Sequence, residues 1–124
     1  MSEVVHLRHE LLTRINHIIG FTEVQIEEAP ETGLGDHVPA LQEINSCGRS
    51  LLALIEVEFA SSSRADLESL NRSIESQAVP TIGQALSLAD QFRALGRESE
   101  ADEVEMVSRA LAGLVSISHE MVRK

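Results

Sequence analysis

His9, Glu10 and Thr13 are the residues of this chain best placed to do chemistry. They lie in the segment LRHELLTRINHIIGFTEVQIEE (residues 7–28), where apolar side chains recur by threes and fours, the spacing of an amphipathic helix. At 100° per residue, His9 falls about 160° from Leu11, the centre of the apolar stripe. Thr13 follows one turn later, Asn16 two turns and Gly20 about three, all along that outward face. A histidine serving the core would sit on the other side. An imidazole turned to water, with a carboxylate beside it and a hydroxyl one turn on, is a candidate for nucleophilic or proton-transfer chemistry.

The elements that must position these groups are helices. The chain has 124 residues with no Trp, no Tyr and three Phe, and it is rich in Leu, Ile, Val, Ala and Glu. Such a composition favours helices over strands. The first helix is expected from Ser2, a good N-cap, to about Ala29, ended by Pro30 and the Gly33-Leu34-Gly35 segment. Its stripe is Val4, Leu7, Leu11, Ile15, Ile18 and Ile26, over a length of about 40 Å at 1.5 Å per residue. A second helix should start near Asp36, with Pro39 in its first turn, and run through Leu41, Ile44, Gly48, Leu51 and Ile55 to Ser61-Ser62-Ser63.

Ser63 and Asp66 have capping-box spacing and open a third helix with the stripe Leu67, Leu70, Ile74, Ala78, Thr81, Leu88, Phe92 and Leu95. Pro80 within it marks a kink or a break, and Gly96 stands at the C′ position. Ser99 and Asp102 repeat the cap signal for a fourth helix carrying Val104, Val107, Leu111, Leu114, Ile117 and Met121. The expectation is an all-α, antiparallel four-helix bundle built from two helical hairpins, in a single domain over 1–124. The hairpins are 1–61 and 64–124. Sliding one over the other keeps the apolar register unbroken, from Leu7 over Leu70 to Leu51 over Leu114, and superposes Gly20 on Gly83 and Gly33 on Gly96. Two hairpins can share that register with or without a common ancestor.

Formal net charge is −10, which disfavours binding to nucleic acid or to an anionic membrane surface. No apolar run approaches the roughly 20 residues that span a bilayer, and MSEVVHLRHE lacks the order of a secretory signal. A cytoplasmic location is expected. Cys47 is the only cysteine and is read as a small core residue. His6, His9 and Glu10 match neither common zinc-helix pattern, so no metal site is expected. His17, His37 and His119 are read as surface residues, the run Glu23, Glu27, Glu28 as a solvated face, and the Met and Phe residues as core filler.

The run from His9 to Phe21, with Thr22 and Glu23 after it, resembles the dimerisation and histidine-phosphotransfer domain of sensor histidine kinases. The first helix of that family reads His-Glu-Leu-Arg-Thr-Pro-Leu, then Ile-x-Gly-Phe; here it is His9-Glu10-Leu11-Leu12-Thr13-Arg14-Ile15, then Ile18-Ile19-Gly20-Phe21. Leu51-Leu52-Ala53-Leu54-Ile55 is similar to the end of the family's second helix, so the resemblance covers roughly residues 4–58.

The resemblance implies a phosphoacceptor at His9, a proton acceptor or orienter at Glu10, and at Thr13 the position that helps to place a water for dephosphorylating the partner. It implies a docking face that includes Leu12, Asn16, Gly20 and Glu23. The implied partner is a receiver-domain protein, a histidine kinase, or both, and the receiver brings the Mg²⁺ its aspartyl chemistry needs. No cofactor is expected on this chain itself.

Two departures qualify the likeness. Leu12 replaces the family's Arg, and Arg14 replaces its helix-kinking Pro, which should straighten the first helix. No ATP-binding domain is legible, because the only Gly-x-Gly, at 33–35, falls in a short interhelical loop; autokinase activity by this chain alone is not expected. Arg72 occupies the slot equivalent to His9 in the second hairpin, so one active face is expected rather than two. In such kinases the working unit is a dimer of hairpins; here the chain is either a monomeric pseudo-dimer or a homodimer. Three functions fit: phosphotransfer between His9 and a receiver aspartate, non-catalytic dimerisation or docking with a two-component partner, and insertion into a kinase's bundle as an inhibitor.

Overall fold

In the computed structural model, which describes residues 2–58 and 64–123, four helices make one antiparallel bundle. They are α1 (Ser2–Thr32), α2 (Val38–Glu58), α3 (Arg64–Ala94) and α4 (Glu98–Arg123), with a short 3₁₀ turn (Gly35–His37) leading into α2. Each helix packs on its sequence neighbour, and α1 closes the ring against α4. Contacts across every seam run in opposite senses. Thr22 meets Asn45 between α1 and α2, and Cys47 meets Gln77 between α2 and α3. Asn71 meets Ser118 between α3 and α4, while Arg14 crosses Gly113 between α1 and α4.

The core is a single aliphatic cluster drawn from all four helices. Leu7, Leu11, Ile15 and Ile18 of α1 are buried as their spacing requires, and Ile26 is partly buried. Two buried positions of α1 are polar and carry interhelical bonds. Thr22 donates to the carbonyl of Ile18 (2.8 Å) and accepts from Asn45 of α2 (2.9 Å). Gln25 donates from Nε2 to the carbonyl of Glu100 on α4 (3.3 Å). These bonds offset the burial of the Thr22 hydroxyl and of the Gln25 amide nitrogen, whereas Gln25 Oε1 is buried without a partner among the described residues.

Several boundaries differ from expectation. Pro30 does not stop α1, which continues to Thr32. A proline in the last turn loses one hydrogen bond but keeps a helical φ; termination needs a left-handed residue, and Gly33 supplies it at φ 81°. The Leu34 amide then bonds back to the Ala29 carbonyl (2.9 Å), closing a Schellman motif with Leu34 buried beneath it. The same motif ends α3. Gly96 has φ 77°, its amide reaches the Arg93 carbonyl (3.0 Å), and the Arg97 amide reaches that of Phe92 (2.9 Å).

Leu95 consequently lies beyond α3 and is exposed rather than part of its stripe. Helix α4 begins at Glu98, so Ser99 sits inside its first turn instead of capping it. Helix α2 begins at Val38, after the 3₁₀ turn that contains Asp36. The Ser61–Ser63 run and the Ser63 cap fall outside the described residues.

Pro80 causes no break: α3 runs through it. The ring removes the amide that would meet the Ser76 carbonyl and crowds the carbonyls of the preceding turn. The next carbonyl along, of Gln77, accepts from the Thr81 hydroxyl (3.0 Å) and from the Cys47 thiol (3.5 Å). Ser76 and Pro80 both lie on the exposed side of the helix, where water can meet the freed carbonyl. Among the described residues no helix is long and apolar enough to cross a membrane.

Candidate functional site

Helix α1 has three working faces besides its buried stripe. Toward α2 it presents Ile19, whose carbonyl accepts from Asn45 (3.3 Å), and Glu23, which is ion-paired with Arg49. Toward α4 it presents Arg14 and Gln25. Between them, pointing outward, runs a ridge of His9, Thr13, Asn16 and Gly20, all exposed. A methyl group placed on Gly20 would touch nothing within 4 Å, so the ridge is open there.

The His9 ring stands in solvent, and no hydrogen bond holds it among the described residues. Thr13 lies one turn along, its hydroxyl donating to the His9 carbonyl (3.0 Å). That bond is intrahelical and leaves the oxygen's lone pairs free to accept from water. Glu10 is half-buried and lines an open hollow of about 170 Å³ with Thr13, Arg14 and His17; no hydrogen bond joins it to His9. Neighbouring residues on a helix diverge by about 100°, so sequence adjacency does not bring the two side chains together.

The expected docking residues do not share one surface. Asn16 and Gly20 lie on the ridge with His9. Leu12 is half-buried against the core instead, and Glu23 is exposed but engaged with Arg49, which also donates to Asn45 Oδ1 (2.9 Å). Asn45 and Arg49 thus extend the face onto α2. Neither is legible in the sequence, where a spacing of 26 residues between Glu23 and Arg49 carries no signal.

Arg14, which stands where the resembled family has proline, lies across Gly113 of α4. A methyl group at position 113 would stand 3.1 Å from its Nε and 3.2 Å from its Cδ and Cζ. The Nε is buried there without a hydrogen-bond partner among the described residues, an arrangement that ordinarily costs about 1–3 kcal/mol. A second close approach fixes α1 on α2: a methyl group at Gly48 would lie 3.0 Å from Ile19 Cγ1 and 3.2 Å from Ile18 Cγ2.

The other histidines have identifiable surroundings. His17 is exposed, its ring centroid 6.2 Å from that of Phe21 in an edge-type contact. His37 is half-buried rather than a free surface group, its ring 5.2 Å from that of Phe92 and nearly perpendicular to it. His119 bonds Glu75 across the α3–α4 seam. Cys47 is half-buried between α2 and α3, and burial pushes its thiol above the ordinary value of 9.0, partly offset by a hydrogen bond with Thr81. Among the described residues no group of three or more His, Cys, Asp or Glu side chains is placed to hold a metal ion.

No protein-family model matches the chain, and neither the curated proteins nor the solved structures contain a significant match to it.

Proposed function

We propose that this chain is a histidine phosphotransfer module, exchanging a phosphoryl group between His9 and an aspartate of a receiver-domain partner in a two-component relay. One observation supports it above the others: the His9 ring stands outside an antiparallel bundle, unpartnered among the described residues, on a ridge that another protein can approach. In the step itself a neutral ring nitrogen attacks the phosphorus of the partner's aspartyl phosphate. The P–O bond to aspartate breaks as the P–N bond forms, leaving a carboxylate on the partner and phosphohistidine here. The other ring nitrogen keeps its proton; Glu10, which the resemblance makes its acceptor, would have to turn out of the hollow to meet it. Mg²⁺ arrives with the receiver, and the relay operates in the cytoplasm. A single chain supplies both hairpins, which fits a monomeric pseudo-dimer; a homodimer is the alternative, and mass in solution separates the two.

A second reading has its own support. Glu10 lines a hollow away from the ring and Thr13 bonds backbone, which leaves His9 without a helping group. In that reading the chain docks onto a receiver or kinase and transfers nothing.

Mixed with a phosphorylated receiver, the chain should gain an acid-labile, base-stable label that disappears in His9→Ala. Binding without label favours docking. Neither label nor binding across a panel of receivers rejects both readings.

A further inference from the structure

We propose that Arg14, Thr13 and His17 form an oxyanion-binding notch at the α1–α4 seam, one that takes a phosphate-type anion. It lies on the α4 side of the His9 ridge and does not depend on phosphotransfer through His9.

The first observation is an arginine without an acid. The chain holds 20 Asp and Glu against 10 Lys and Arg, yet Arg14 has no hydrogen-bond or ion-pair partner among the described residues. Glu10 stands one turn before it, the order and spacing at which helix ion pairs form most readily, and no pair is made. The second is the cradle. The shaft and Nε of Arg14 lie on Gly113, where an added methyl group would press on them at 3.1–3.2 Å and push the side chain outward, and the Nε is covered. With the plane of the guanidinium held against α4, only its terminal amino groups remain to meet a ligand. A planar fork fixed before binding suits phosphate oxygens and loses little freedom on binding.

The third is what shares the hollow with it. Thr13 offers a hydroxyl that can turn from the His9 carbonyl, and His17, whose ring pairs with that of Phe21, offers a ring N–H. Glu10 is the opposing group, a carboxylate on the rim that competes with an incoming anion. The arrangement therefore makes a signed prediction for each residue.

The test is a titration of the full chain with inorganic phosphate against chloride at equal ionic strength. It is followed by NMR at the Arg14 Nε–H, which burial shields from exchange, and at the amides of Thr13 and His17. A saturable shift with phosphate alone is expected. Glu10→Gln should lower the apparent Kd several-fold, Gly113→Ala should raise it several-fold, and Arg14→Gln should abolish saturation at the amides. Arg14→Lys, which keeps the charge but not the fork, should also weaken binding and serves if Gly113→Ala does not fold. His9→Ala should leave the titration unchanged, which separates this site from the relay reading. A phenyl phosphate arm distinguishes sources: tighter binding than inorganic phosphate points to a phosphorylated group on a larger molecule, and weaker binding to a free anion. Shifts equal to those with chloride, or saturation retained in Arg14→Gln, would overturn the notch.

Discussion

The two hairpins bury the same positions and display different ones. Leu7, Leu11, Ile15, Ile18, Thr22, Gln25 and Ala29 are buried on α1, and so, 63 residues on, are Leu70, Ile74, Ala78, Thr81, Ala85, Leu88 and Phe92 on α3. Leu41, Ile44 and Leu51 of α2 correspond likewise to Val104, Val107 and Leu114 of α4. Outside, the ridge His9, Thr13, Asn16 and Gly20 is answered by Arg72, Ser76, Val79 and Gly83, and the neighbouring Glu23 by Leu86. Val79 and Leu86 are exposed at 55% and 47%, where the first hairpin has Asn16 and Glu23. The buried register sets the architecture, and the outward residues, free of that constraint, make one face unlike the other.

The largest expected contrast is in chemistry. His9→Ala should remove the phosphoryl label completely while shifting denaturation by no more than about 0.5 kcal/mol, as exposed substitutions do. Arg72→His should gain no label, since the second face lacks the surrounding motif; a label there would make the two faces equivalent. Next comes the shared core. Leu11→Ala and Ile74→Ala should each cost about 2–5 kcal/mol in urea unfolding, with one transition in both cases. Separate transitions for the two variants would mean that the hairpins unfold independently.

A smaller effect tests where the halves diverge. Gly48 corresponds to Leu111, so only the first hairpin has this close contact, against Ile18 and Ile19. Gly48→Ala should cost about 1–3 kcal/mol by forcing those side chains aside. Smallest is an alkaline effect at the α2–α3 seam. Burial keeps the Cys47 thiol protonated above 9.0, whereas the unfolded chain releases its proton near that value. As pH rises past about 9 the unfolded state is favoured, so stability falls, by less than about 1 kcal/mol for so partial a burial. Cys47→Ala should flatten that slope between pH 8 and 10 in parallel melts.

Much of this could be read from residue types and spacing. The helices, their order, the buried stripes and the turn glycines at 33 and 96 follow from periodicity and from φ that only glycine adopts cheaply. The outward placement of His9 follows from 100° per residue. What stayed hidden depends on partners distant in sequence. Arg14 settles on Gly113, Arg49 pairs with Glu23, and the Gln77 carbonyl beside Pro80 is met by Cys47. Local pattern also misplaced boundaries, since Pro30 reads as a stop although the φ at Gly33 ends the helix.

Closing the ring through α1 and α4 has a kinetic consequence. Every other seam described here joins helices consecutive along the chain, whereas Arg14 and Gly113 lie roughly a hundred residues apart, so their meeting carries the largest loop-closure entropy. That seam should consolidate last on the way to the native state. Substitutions along it should speed unfolding and leave refolding almost untouched, while those at the α3–α4 turn should slow refolding; the reverse in a chevron analysis would show that closure comes first.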